Sequence, residues 1–419
     1  MPYGRTDSRL RATGGESQWK VHTGYGVQAR YLLPRFKALG YEVAQFAWYG
    51  LQGASIMAGD IRLYPGLGDH FGSEVIGEHV AHFKADLVIS LQDIWPLPED
   101  YGERCRPARW AAWYPVDHSP CPEAVTVRAK KCDYPVVYSR FGLTESLAAG
   151  IDNVHYIPHG VDTTVFKPGD KLAARQRLDF PEDAIVVAMV AANKDYPSRK
   201  AFPQNLQAFA AFRRKHPKAL LYLHTEIMGG RAGVDMLKLL AACDIPQEAV
   251  RFVDQYAYQA LGLPDTYMAT VYQAADVLLA ASMSEGFGIP IIEAQACGCP
   301  VITTDATSMP ELTINGIATA PAQKWWTPMD SWIALPDPDA IAWALYEIQK
   351  WRPEFRADMA AEGVAHIAEN YDWDNCINNY WRPFLARVEA DIEHERHNGR
   401  GEAGYAQTAA VAVPHPATN

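Results

Sequence analysis

The sequence predicts an α/β protein built from two doubly wound halves, and three observations carry that prediction. Its 419 residues, 48% hydrophobic and 21% charged, suffice for two ordinary domains, each with its own core. Short apolar runs of strand length, such as residues 86–91 and 184–192, alternate with stretches of helical periodicity. That alternation is the pattern of parallel sheets covered on both faces. Finally, residues 276–304 read without a gap as strand, glycine turn, short helix and strand.

Taken in order, residues 1–20 are polar and glycine-rich, and the best stand-in for a first strand is residues 18–22. A loop, Thr23-Gly24-Tyr25-Gly26-Val27, leads into a helix with Tyr31, Leu32, Phe36 and Leu39 at helical spacing. Strands are expected at 42–48, 61–64, 86–91 and 109–116, and a helix at 73–84. The strand at 109–116 empties into Asp117 and His118, and strand C-terminal ends in open α/β sheets face the ligand crevice. Another strand covers 134–138, and a helix opens at Ser139. The Pro- and Gly-containing run 156–168 closes the first half.

The second half opens on the strand 184–192, which empties into Lys194, Arg199 and Lys200 before a helix that runs through Phe212. Three cations at a strand end beside a helix start are placed to hold a diphosphate. Strands follow at 219–224 and 250–253, then a helix at 263–275 that carries Tyr272 towards the core. Trp325 and Trp326 sit in a Pro-rich insertion, open to use as core or as an acceptor platform. Helices are expected at 338–351, 354–369 and 373–395, and disorder over 398–419.

The central unit holds the most chemistry. Gly286 and Gly288 permit a tight turn in which backbone can approach a ligand, and Pro290 suits a first helical turn. The helix thus begins with its positive end aimed into a crevice. Glu285 lies in the turn and Glu293 projects from the helix eight residues on. In an isolated pair the first would be a helix cap and the second a solvated surface residue; the glycines, the proline and the flanking strands argue for function.

The run Glu-Gly-Phe-Gly-x-Pro-x-x-Glu-Ala-x-Ala-x-Gly-x-Pro-Val, residues 285–301, resembles the donor-site signature of retaining GT-B glycosyltransferases (glycosyl transferases group 1, family 4-like). The resemblance implies a GT-B fold of two Rossmann-like doubly wound domains facing each other across a cleft. Residues 1–165 would form the acceptor-side domain and 166–370 the donor-binding domain, with a helix at 371–397 crossing back to the first. It implies a hexosyltransferase using a nucleotide-diphosphate sugar, UDP- or GDP-linked, with no cofactor. Glu293 would bind the ribose and Glu285 lie near the transferred sugar, with Gly286, Phe287, Gly288 and Ile289 lining the donor. Gly24 and Gly26 would face the phosphates, and residues 254–258 the nucleobase. Asp117 or His118 would sit near the sugar's C6 hydroxyl and the acceptor; strand register favours Asp117. Lys200, then Arg199 and Lys194, would hold the diphosphate.

A formal net charge of −11 argues against strong non-specific attraction to nucleic acid or anionic membrane. Only −2 of it falls on residues 1–165. No apolar run approaches the roughly 20 residues needed to span a bilayer, and the first residues lack the apolar core of a secretion signal. Seven scattered cysteines without metal spacing suggest reduced thiols and a cytoplasmic setting. Asp337 and Asp339 have the spacing of a metal pair but flank Pro338 before a helix, so no metal is expected. The acceptor stays open among glycan, small molecule, lipid and modified nucleic acid, as does monomer against homodimer. The alternatives are a sugar-phosphate enzyme of the same fold, a silent scaffold, and a viral-type enzyme glycosylating modified bases.

Overall fold

The structure is a computed structural model that describes residues 11–15, 24–47, 51–66, 71–195, 197–229 and 232–398. Two compact units divide the described chain: one takes residues up to 113, 127–135 and 377 onwards, the other 114–126 and 136–376.

In the first unit, β1 (Arg11–Gly15) is followed by α1 (Gly24–Ala38), β2 (Glu42–Ala47), β3 (Ile56–Ala58), β4 (Ile61–Pro65), α2 (Ile76–Phe83), β5 (Leu87–Leu91), α3 (Tyr101–Arg104) and β6 (Arg109–Tyr114). The strand order is β3-β4-β2-β1-β5-β6. β1 lies between β2 and β5 in parallel register, with Thr13 opposite Ala44 and Val88. The first strand is therefore at 11–15; the expected 18–22 lies outside the described residues. Main-chain pairing on both edges defines this strand, and its sequence, Arg-Ala-Thr-Gly-Gly, carries no hydrophobic signal. Gly24 and Gly26, expected in a loop, belong to the first turn of α1. Glycine is tolerated there because the first amides of a helix have no intrahelical partner to lose.

Next come α4 (Glu123–Ala129), β7 (Tyr134–Val137), α5 (Arg140–Ala148) and β8 (His155–Tyr156). The remainder of the second unit alternates α6 (Lys171–Arg177), β9 (Ile185–Val190), α7 (Phe202–Lys215), β10 (Ala219–His224), α8 (Met236–Ala242), β11 (Val250–Phe252), α9 (Asp265–Ala274), β12 (Val277–Ala280), α10 (Ile289–Ala296), β13 (Val301–Thr304), α11 (Met309–Leu312) and β14 (Gly316–Thr319). Its sheet, β11-β10-β9-β12-β13-β14, is parallel throughout. Phe202, Leu206 and Phe209 of α7 pack on Val187, Leu221 and Leu279 of the sheet, the helical period of one meeting the buried face of the other. β9 and β12 are parallel neighbours, with Leu278 opposite Ala188. Their C-terminal ends therefore share one edge, and the loops that leave them meet there.

A hairpin of β15 (Pro321–Thr327) and β16 (Ser331–Pro336) follows, then α12 (Pro338–Lys350), α13 (Pro353–Tyr371) and α14 (Trp373–Cys376). Trp325 and Trp326 thus lie in a strand rather than an irregular insertion. Asp337 caps α12, its carboxylate accepting from the Asp339 amide at 2.9 Å.

The final helix is not continuous. A π-helical turn at Ile377–Trp381 separates α14 from α15 (Arg382–His397). Phe384, Leu385, Val388 and Ile392 form the buried stripe of α15. Trp381 stands edge-on to Phe36 and Trp113, at 5.1 and 4.9 Å between ring centres. The expected disordered tail lies, beyond Asn398, outside the described residues.

Candidate functional site

The loop after β12 carries Glu285 and the loop after β9 carries Arg199 and Lys200. Lys200 Nζ lies 2.5 Å from Glu285 Oε1, and Arg199 Nη1 lies 3.3 Å from Oε2. Ser282 Oγ donates to Oε1 at 2.7 Å. The backbones are tied as well: the Met283 amide donates to the Arg199 carbonyl at 2.8 Å, and the Arg199 guanidinium to the Ser284 carbonyl. From the far side, the Glu285 amide donates to Thr307 Oγ1 at 3.1 Å. Ser308 Oγ donates to the carbonyls of Glu285 and Phe287 at 2.8 and 2.7 Å. Thr307 holds φ 54°, a left-handed backbone that a β-branched residue adopts only when its surroundings fix it.

Glu285 is 8% exposed. Burial opposes its ionisation, yet the charges of Lys200 and Arg199 overcome that and hold its carboxyl at about 2, from an ordinary 4.5. Burial likewise lowers Lys200, with Glu285 working against the shift. The cluster sets one carboxylate against an ammonium at 2.5 Å and a guanidinium at 3.3 Å. Because the folded pKa of Glu285 lies below its unfolded value, the stability it contributes is complete above about pH 4.5 and is lost as pH falls towards 2. Wild type and Glu285→Gln are therefore expected to differ in melting temperature at pH 6, with the gap closing as pH is lowered through 4. A gap unchanged down to pH 3 would show that the carboxylate's charge is not what stabilises the loop.

The segment after β6 completes this cluster within the same unit. A Cβ on Gly286 would lie 2.3 Å from Cβ of Pro115, so only glycine lets the turn rest on Pro115. Two residues later, Asp117 Oδ1 meets His118 Nδ1 at 2.6 Å. Burial raises the Asp117 carboxyl, but the His118 hydrogen bond and charge, with Arg199 beyond, bring it below the usual range. Both candidates for this position are present, and they act as a bonded pair. Gly288 opens α10 at φ 114°, a conformation open to glycine and strained for other residues. Ile289 and Pro290 begin the helix, whose positive end points back at the turn.

Glu293 on α10 accepts a 2.8 Å hydrogen bond from the buried Tyr272 hydroxyl of α9. The bond fixes one carboxylate oxygen in place. If Glu293 binds the donor's ribose, as the sequence resemblance implies, Tyr272→Phe should raise the donor KM several-fold, by about 1 kcal/mol of lost positioning, with little change in kcat. An unchanged KM would mean that Glu293 needs no such support.

Not every expected residue is used alike. Phe287 is buried and packs edge-on against His159 and Tyr371, at 5.2 and 5.8 Å, so its side chain supports the turn. Lys194 is exposed, although its charge reaches Lys200. Gly24 and Gly26 belong to the first unit. Residues 254–258, expected as a loop, run into a π-helical turn at Ala257–Leu261, whose Tyr258 stands edge-on to His224 at 5.2 Å, at the end of β10. Sequence reasoning did not single out Ser282, Pro115, Thr307 or Ser308. Small polar residues in a loop carry no period, and only Ser282, three positions before Glu285, was within sight of the motif.

Comparison with known proteins follows the same lines. A family model described as Glycosyl transferases group 1 matches residues 170–363. Among curated relatives, a D-inositol 3-phosphate glycosyltransferase of Stackebrandtia nassauensis is 33% identical over 57% of this chain and 49% of its own. One of Acidothermus cellulolyticus is 30% identical over 56% and 48%. The chain thus spans about half the length of the curated relatives it matches. Among solved structures, sucrose-phosphate synthase from Thermosynechococcus elongatus superposes with a TM-score of 0.69 at 19% identity, covering 90% of this chain and 100% of that one. Anabaena Alr3699/HepE in complex with UDP and glucose gives 0.64 at 15%, covering 93% and 100%. At such identities the likeness establishes the fold, which is GT-B with two Rossmann-like units. Among the described residues no helix is long and apolar enough to cross a membrane.

Proposed function

We propose, for a chain whose residues 170–363 form a glycosyl transferases group 1 domain, transfer of a hexose from a nucleotide-diphosphate sugar to an acceptor hydroxyl with retention at the anomeric carbon. The observation that carries this reading is the cluster of buried Glu285 with half-buried Lys200 and Arg199 at the glycine turn that opens α10. A departing diphosphate gains negative charge as the glycosidic bond breaks. Two cations and a positive helix end, held in place before the reaction, stabilise that charge without reorganising. Two buried hydroxyls beside these residues, Ser198 Oγ and Ser284 Oγ, have no hydrogen-bond partner among the described residues, as suits a site completed by a polar ligand.

The same cluster favours same-face attack over double displacement. Both Glu285 oxygens are engaged, Oε1 by Lys200 and Ser282 and Oε2 by Arg199, which disfavours their attack to form a glycosyl-enzyme. In our reading the leaving diphosphate takes the acceptor's proton, and Asp117 and His118 orient the sugar or acceptor by hydrogen bonds. Because protein cations meet the leaving-group charge, the reaction is proposed to proceed without a metal. Glu293 is assigned to the ribose. UDP is the first nucleotide to try, given the UDP complex of the Anabaena neighbour, and an inositol phosphate the first acceptor, given the names of the relatives.

The test is a thermal-shift and hydrolysis screen with UDP-, GDP-, ADP- and dTDP-sugars, with and without EDTA. One nucleotide should raise the melting temperature and release its sugar slowly, in EDTA as in magnesium, and Glu293→Ala should abolish both effects. Stabilisation by none of them would overturn the reading in favour of a scaffold. Loss of hydrolysis in EDTA, restored by magnesium, would overturn metal independence.

A further inference from the structure

The β15–β16 hairpin displays its tryptophans outwards. Trp326 and Trp332 face each other across it in register, with ring centres 4.8 Å apart and planes at 70°. They remain 49% and 40% exposed. The opposite face carries Trp325, 39% exposed, and is anchored at Ile333, which packs with Ala201 and Met283, while the Ala334 amide donates to the Met283 carbonyl at 3.0 Å. The ring pair is thus fixed to the loops that carry Lys200 and Glu285, through Ala201 next to the first and Met283 two residues before the second. The hairpin is also bonded to the segment after β6. The Ser119 amide donates to the Trp332 carbonyl at 3.0 Å, and the Trp332 amide to the Ser119 carbonyl at 3.2 Å. Ser331 Oγ donates to the Pro120 carbonyl. Ser119 follows His118, so the main chain of Trp332 is bonded to the residue next to the Asp117–His118 pair.

We infer that Trp326 and Trp332 form an acceptor platform on which pyranose rings of an oligosaccharide stack, leading its terminal hydroxyl to Asp117 and His118. A pyranose presents a face of C–H groups that packs on an indole, while its hydroxyls stay in water or reach polar neighbours. The rim of the hairpin suits a neutral polyol: Lys324 and Asp330 are both exposed and cancel. An anionic lipid surface would call for a cluster of basic residues, and residues 321–336 contain one lysine and no arginine. A second copy of the chain would need far more surface. The two exposed rings offer roughly 200 Å², against about 800 Å² per partner in a stable interface.

The platform rests on the transferase reading, and the experiment separates the two. Intact protein is titrated with cellohexaose, maltohexaose and mannohexaose, followed by tryptophan fluorescence and calorimetry, with donor hydrolysis measured alongside. At least one hexasaccharide should bind. Trp326→Ala/Trp332→Ala should weaken it by about tenfold or more, while Trp326→Phe/Trp332→Phe, which keeps flat rings and controls for folding, should bind within about threefold. Donor hydrolysis should be unchanged in both. No binding by any of the three, binding indifferent to both variants, or tryptophan-dependent binding to phosphatidylglycerol vesicles or self-association in their place would each overturn the platform. Tryptophan-dependent hexasaccharide binding by a protein that hydrolyses no donor would keep the glycan site and overturn the transferase reading.

Discussion

Lys200→Ala is expected to lower kcat/KM for donor turnover by about 10²–10³-fold and to destabilise the fold by about 3 kcal/mol. The two losses have different origins. Stability falls because Glu285, 8% exposed, is left with Arg199 at 3.3 Å as its remaining charge partner, and removing one member of a buried pair strands the other. In the proposed reaction, rate falls because the departing diphosphate loses a cation already in position. Pairing Lys200→Ala with Glu285→Gln should therefore recover most of the stability and none of the rate. The double variant is the decisive measurement. If Lys200→Ala turned over donor within about threefold of wild type, Lys200 would be a structural counter-ion to Glu285 and nothing more.

Gly286→Ala is expected to cost about 10²-fold in kcat/KM and 1–3 kcal/mol in stability, roughly. Its Cβ would lie 2.3 Å from Cβ and 3.1 Å from Cα of Pro115. A proline cannot turn aside as a flexible side chain would, because its ring is closed on the backbone. Relief must come from moving the turn or the 115–118 segment, and either movement displaces Glu285 or the Asp117–His118 pair from its present place. Steady-state kinetics and thermal melts on the purified variant check this. Wild-type kinetics with an unchanged melting temperature would show that the two segments yield without consequence.

Much of this site was legible in the sequence because glycine and proline punctuate it. Gly286, Gly288 and Pro290 fixed the turn and the helix start, and the apolar strand before them fixed which way the turn faced. The basic loop at 194–200 was legible as a group but not residue by residue. Which lysine meets Glu285 depends on how the chain winds between Asn193 and Ala201, and spacing does not report that. The partners that hold Glu285 from behind, Thr307 and Ser308, were illegible, since hydroxyls in loops have no pattern. The first strand was illegible for a related reason: Arg11–Gly15 is defined by its neighbours' main chains, and hydropathy reads side chains. The tryptophan pair was visible as a pair at 325–326, but the rings that face each other are 326 and 332, which only strand register reveals.

The clasp between Gly286 and Pro115 also bears on how such chains can be recombined. A chimera that exchanges sugar-donor halves invites a junction near residue 165, in the run rich in proline and glycine. That junction would bring a foreign Pro115–His118 segment against a native glycine turn, although this segment packs with the second unit. Junctions placed between β6 and Pro115, Thr126 and Val127, Pro135 and Val136, and Cys376 and Ile377 would transplant the turn together with the wall on which it rests. The inheritable module is discontinuous, and its boundaries follow what touches the turn rather than where the chain looks easiest to cut.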